Sequence, residues 1–170
     1  MTNPERNNPN TRLLFVCLGN IVRSPLAEAL FIQETQKMGL DGRFSADSAG
    51  VSGWHVGEEP DPRMKRIAAA HGLLYDHRSR QVCARDLENF DLVIAMDREN
   101  YSDLRSLAAN QEQIDKIHML RAWDPMGGAL LSVPDPYYGG IDGFEEVFAT
   151  IERSVQGLAQ ALSKGSQAVS

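Results

Sequence analysis

The junction Val16-Cys17-Leu18-Gly19-Asn20-Ile21-Val22-Arg23-Ser24-Pro25 joins an apolar run to an amphipathic segment, and it restricts the possible folds more than any other stretch of the chain. The residues before it, Leu13-Leu14-Phe15-Val16, are short, unbroken and apolar, as a strand buried on both faces of a parallel sheet must be. Ser24-Pro25 reads as a helix start, because a serine hydroxyl can cap and the proline ring already holds the helical φ. The expected order is a strand over 12–17, a loop, and a helix over 25–38 that ends at Gly39.

A loop between a strand end and a helix N-terminus carries peptide N–H groups without intrachain partners, and these converge on an anion. Gly19 removes a side chain where backbone must approach a ligand, and Asn20 is the non-glycine residue that best tolerates a left-handed conformation. Arg23 adds a planar fork of donors suited to two oxyanion oxygens. Leu18, Gly19, Asn20, Ile21, Val22, Arg23 and Ser24 are therefore the expected anion-binding residues. Cys17 stands at the base of this cradle, where helix-terminal dipoles and a guanidinium favour the thiolate. Ser24 can donate its hydroxyl to the sulfur and make it a better leaving group. A cysteine at the end of an apolar strand is more often a small buried hydrophobe. The spacing of Cys17, five residues, then Arg23-Ser24 on a strand-to-helix turn favours a nucleophile instead. A nucleophile and a tetrahedral-anion site in one loop imply phosphoryl, sulfuryl or arsenyl chemistry.

Elsewhere strands and helices alternate. A second strand is expected over 43–48, a helix from Asp61-Pro62-Arg63 to His71 closed by Gly72, and a strand over 92–96. After Asp97 a helix should run through Ala109, followed by a short strand over 116–119 and a long helix over 142–163. The last places Phe144, Val147, Phe148, Ile151, Val155 and Leu158 at helical spacing. Residues 1–10 and 165–170 read as flexible tails around one domain over 11–164, and 170 residues with 42% hydrophobic content suffice for one core. This is an α/β domain with a parallel sheet and helices on both faces. A net charge of −6 and a sequence pI near 5.2 argue against nucleic acid or anionic membrane as partners. Two distant cysteines, no secretion signal and no membrane-length apolar run point to a cytoplasmic protein without metal or cofactor. Arg63 is expected to pair with Asp97 near the sheet edge.

The chain resembles the low-molecular-weight protein-tyrosine phosphatases. Besides the Cys17 loop, the resemblance runs through Asp47-Ser48-Ala49-Gly50, Trp54-His55-Val56-Gly57, Asp61-Pro62-Arg63, the segment from Phe90 to Asp97, and Asp135-Pro136-Tyr137-Tyr138-Gly139-Gly140. It implies a four-stranded sheet of order 2-1-3-4, and it implies that Ser48 and His77 hold the Asn20 side chain and so fix the strained loop. It further implies hydrolysis of phosphotyrosine through a cysteinyl-phosphate, with tyrosine-phosphorylated proteins as substrates and a tyrosine kinase as a family-level partner.

Expelling a phenol requires an acid at the mouth of the cradle. Asp135, stiffened by Pro134 and Pro136, is the candidate. Trp54, Tyr137 and Tyr138 are the expected walls for an aryl ring. Asp124-Pro125 is a weaker rival, since no aromatic pair follows it. Most family members carry a second cysteine where Val22 stands, so a protective disulfide inside the loop is not expected here. Arsenate reduction by a thiol relay is disfavoured because only Cys83 is available besides Cys17. Arginine phosphatases on this fold have threonine where Ile21 stands. A catalytically silent phosphotyrosine-binding module is the remaining alternative.

Overall fold

The structure is a computed structural model, and it describes residues 10–128, 131–137 and 139–165. The expected tails fall largely outside these residues. The elements in order are β1 (Thr11–Cys17), α1 (Arg23–Lys37), β2 (Phe44–Gly50), α2 (Pro62–Ala70), α3 (Asp86–Asn89), β3 (Leu92–Ala95), α4 (Arg98–Leu107), α5 (Gln111–Ile114), β4 (Ile117–Met119), a 3-10 turn (Leu120–Trp123) and α6 (Ile141–Ser163). The sheet is parallel throughout, in the order β2-β1-β3-β4.

β1 lies between β2 and β3, and its residues Leu13 to Val16 are wholly buried. Alternation along the strand sends Leu13, Phe15 and Cys17 to one face, where α1, α2 and α6 pack. Leu14 and Val16 point to the other, against Val93, Leu87 of α3 and Leu104 of α4. Each buried aliphatic or aromatic side chain contributes roughly 1.5–3 kcal/mol, so the residues along the buried stripe of α6 anchor that helix across the sheet. Because the chain leaves β1 toward β2 on one side and later returns to β3 on the other, a crevice opens beyond the carboxyl ends of β1 and β3. The Cys17 loop and Asp97 both sit at this end.

Several boundaries differ from expectation for identifiable reasons. Helix α1 begins at Arg23, with Val22 as its N-cap and no side-chain cap. Ser24 does not cap because its hydroxyl is engaged with the Cys17 sulfur at 3.0 Å. Pro25 still lies in the first turn, where a missing N–H costs nothing. β2 extends to Gly50 because Gly50 pairs in register with Cys17. α3, α5 and the 3-10 turn, four residues each, are too short to leave a periodic signal. Arg63 does not meet Asp97: it turns back onto Asp61, which also caps α2.

Candidate active site

The backbone of the loop after β1 is fixed from outside by its carbonyls. Val51 N–H donates to Cys17 O, Ser52 N–H to Leu18 O, the Ser79 hydroxyl to Gly19 O, and Asp61 N–H to Ile21 O, at 2.8 to 3.0 Å. In a trans peptide the N–H points opposite to the preceding carbonyl, and the described residues contain no cis bond. Tethering these four carbonyls outward therefore turns the amides of Leu18, Gly19, Asn20 and Val22 inward. The Asn20 amide accordingly donates to Cys17 Sγ at 3.2 Å. Asn20 is the only non-glycine residue with positive φ among the described residues, at +58°. Such strain persists only where surrounding contacts over-determine it.

Those contacts form a relay. The Asn20 side-chain amide donates to Ser24 Oγ at 2.9 Å and to Ser48 Oγ at 3.0 Å. Its Oδ1 accepts from Arg80 N–H at 3.0 Å and lies 2.9 Å from His77 Nε2. Since Ser24 accepts from Asn20, its own proton can go to the Cys17 sulfur at 3.0 Å or to the more distant Ala49 O at 3.4 Å. Ser48 in turn donates to Glu28 Oε1 at 2.7 Å, and His77 Nδ1 is 3.5 Å from the same oxygen. Burial pushes His77 below the usual histidine range.

Burial also pushes Glu28 up to about 7, with Asp47 adding to the rise while Ser48 and Arg80 oppose it. A carboxyl whose folded value lies above its unfolded one stabilises the fold at low pH, and that stability is lost as pH rises through about 7. Glu28→Gln keeps the acceptor for Ser48 and removes the titration. Its Tm should gain on the wild type by a few degrees between pH 5 and pH 8. Parallel melting curves for the two proteins across that range would refute this.

Arg23, 2% exposed, donates through one nitrogen to Asp97 Oδ2 at 2.7 Å and to Val133 O at 2.9 Å. Its other terminal nitrogen is 3.4 Å from Asp135 Oδ2. Burial works against the guanidinium charge, but Cys17, Asp135 and Asp97 together outweigh it and hold its pKa above the ordinary arginine value. Cys17, Leu18, Gly19, Ile21, Val22, Arg23, Trp54, His55, Asp135 and Tyr137 line a cleft that opens to solvent. Trp54, 78% exposed, stands at its rim. Tyr137 is half-buried under Arg63, which donates to its carbonyl at 3.1 Å and lies over its ring. Tyr138 lies outside the described residues.

The structure thus gathers Cys17, Arg23, Asp135, Trp54 and Tyr137 around one cleft, with Asn20, Ser24, Ser48 and His77 behind it. The rival Asp124 is buried between Arg121 and Arg153, away from the cleft lining. Two residues are more prominent than the sequence suggested. Asp97, expected on Arg63, is the principal partner of Arg23; its place directly after β3, the neighbour of β1, was the available signal. His55 is hydrogen-bonded to Glu58 at 2.7 Å and lies between Gly19 and the Tyr137 ring. A Cβ on Gly19 would come within 2.9 Å of His55 Cδ2, so glycine is required here by His55 as well as by the cradle.

A family model described as low molecular weight phosphotyrosine protein phosphatase matches residues 12–168. The chain belongs to this family. It is 45% identical to a low molecular weight protein-tyrosine-phosphatase of Streptomyces coelicolor, over 89% of this chain and 93% of that one. Among solved structures, a protein tyrosine phosphatase from Entamoeba histolytica superposes with a TM-score of 0.87 at 37% identity, covering 92% of this chain and 99% of the other. A Drosophila arginine phosphatase superposes at 0.82 with 32% identity, over 91% and 98%. Family membership makes this phosphatase a phosphoric monoester hydrolase. No helix among the described residues is long and apolar enough to cross a membrane.

Proposed function

We propose that this phosphatase hydrolyses tyrosine phosphate esters on proteins in two displacements at phosphorus. The observation that carries the proposal is the Cys17 sulfur, held by the Asn20 amide and the Ser24 hydroxyl in the same cleft as Arg23 and Asp135. In the first displacement the thiolate attacks in line, the S–P bond forms as the P–O bond breaks, and Asp135 gives its proton to the departing tyrosyl oxygen. The inward amides and Arg23 bind the three equatorial oxygens, whose charge is greatest in the transition state. In the second, Asp135 takes a proton from water as that water's oxygen attacks phosphorus. The S–P bond then breaks, inorganic phosphate leaves, and the thiolate returns.

Trp54 and Tyr137 supply flat apolar walls on which a phenyl ring can rest. Ile21 also lines the cleft and is nearly buried; an apolar contact there favours an aryl ring over a charged guanidinium. Phosphotyrosine peptides should accordingly be hydrolysed in strong preference to phosphoarginine peptides.

Asp135→Ala tests the assignment of the acid. On phenyl phosphate, whose leaving group needs a proton, kcat/KM should fall by about 10² to 10³. On p-nitrophenyl phosphate, whose leaving group departs readily as an anion, the fall should be several-fold at most. Equal losses on both substrates would remove Asp135 from this role.

A further inference from the structure

We infer that Asp124 is a positioning residue for the acid step, acting through Arg121 on the backbone that carries Asp135; this rests on the reading of Asp135 as the acid. Residues 131–137 form neither helix nor strand; a backbone bond from Val133 N–H to Met96 O at 2.7 Å and one from Arg98 N–H to Ser132 Oγ at 3.2 Å tie the segment to the end of β3 and the start of α4. Three arginines also grip its carbonyls: Arg121 at Ser132 (3.1 Å), Arg23 at Val133 (2.9 Å) and Arg63 at Tyr137 (3.1 Å). Each arginine is itself held by an aspartate: Arg121 by Asp124 three residues on, Arg23 by the distant Asp97, and Arg63 by Asp61 two residues before it.

Of the three, only the Asp124 clamp has neither a hydrogen bond to the catalytic loop nor a residue in the cleft lining among the described residues. Arg23 lines the cleft, and Asp61 is bonded to the catalytic loop through its own amide. Asp124 touches neither. Its side chain is 0% exposed, and both oxygens are committed. Oδ1 accepts from Met126 N–H at 2.9 Å and Arg153 Nε at 3.1 Å, while Oδ2 accepts from Arg121 Nε and a terminal nitrogen of Arg153, both at 3.1 Å. Arg153 belongs to α6, so Asp124 references Arg121 to the helix that places Phe144, Phe148 and Ile151 in the core. The remaining Arg121 nitrogens reach Ser132 O and Met126 O. A planar fork can serve both sides at once only while its Nε edge is pinned.

The consequence is specific to proton transfer. A carboxyl displaced by about 1 Å loses on the order of 10²-fold in a step that depends on its orientation, whereas attack by Cys17 is untouched. Asp124→Asn preserves shape and one acceptor but cannot hold two guanidiniums as a carboxylate does. The experiment is a series of aryl phosphates spanning leaving groups from p-nitrophenol to phenol, with kcat/KM measured for wild type, Asp124→Asn, Asp135→Ala and the double variant. For Asp124→Asn the loss on phenyl phosphate should exceed that on p-nitrophenyl phosphate about tenfold. In the Asp135→Ala background the same substitution should leave the leaving-group dependence unchanged.

Uniform losses across the series for Asp124→Asn, or none, would overturn the positioning role while leaving Asp135 as the acid. If Asp135→Ala itself fails to steepen the dependence, the acid reading fails and the positioning role falls with it. Arg121→Lys, which keeps the charge but loses the fork, should steepen the series in the same sense, and it decides the question if Asp124→Asn does not fold.

Discussion

Cys17→Ser should lower kcat on p-nitrophenyl phosphate by on the order of 10⁵-fold or more, which is the scale of loss when a nucleophile is deleted. A serine hydroxyl in this position stays protonated, because the groups around the sulfur donate to it and none removes a proton from it. The Asn20 amide points at it, the Ser24 hydroxyl is supplied with a partner by Asn20, and Arg23 lies in the same cleft. Donors contact the sulfur and no base among the described residues does, so nothing in this environment generates an alkoxide. The inward amides and Arg23 remain, so the dissociation constant for inorganic phosphate measured by equilibrium binding should change by only a few-fold. Residual turnover above about one per cent of wild type would show that another group attacks phosphorus.

Arg23→Lys should cost about 10³-fold in kcat/KM, with most of the loss in kcat. Lysine keeps the charge, so the experiment isolates the fork. In the wild type one guanidinium nitrogen is occupied by Asp97 and Val133 O while the other faces the cleft beside Asp135. A single ammonium cannot lie both behind the loop and within it. If it stays with Asp97 the transferring phosphoryl group loses its cationic clamp. If it moves to the cleft, Asp97 is left largely buried without its partner, which costs a few kcal/mol. Thermal denaturation beside the kinetics separates the two: an unchanged Tm with low kcat indicates the first, a lowered Tm the second. Activity within tenfold of wild type would mean that charge alone suffices.

The strand-loop-helix unit was readable because each of its parts lies within a dozen residues of Cys17. An apolar run, a residue able to adopt positive φ, an arginine and a serine are all contiguous, and their spacing leaves the backbone few options. The expectation of a cap at Ser24 failed for a reason that the same stretch contains. A hydroxyl seven residues from a sulfur can serve it or the helix, and the amides of the first turn, aimed at an anion site, do not need the cap. Arg63 illustrates a different limit. Asp61 and Asp97 are both available to it in sequence, and the local partner two residues away won because it also caps α2 with the same carboxylate. Asp97 was thereby freed for Arg23, a pairing at the carboxyl ends of the adjacent strands β1 and β3, which lie far apart in sequence.

The amino-acid order alone pointed to Cys17 as the nucleophile and to the loop after it as the anion cradle, and it determined the alternation of strands and helices, because each is a property of neighbours along the chain. Only the tertiary structure decided which aspartate holds which arginine, that three arginines converge on the carbonyls of one segment without secondary structure, and that His55 packs beside Gly19. Those relations depend on where β1, β3 and α6 bring distant residues, and that placement is set by burial of the two faces of the sheet rather than by any local preference.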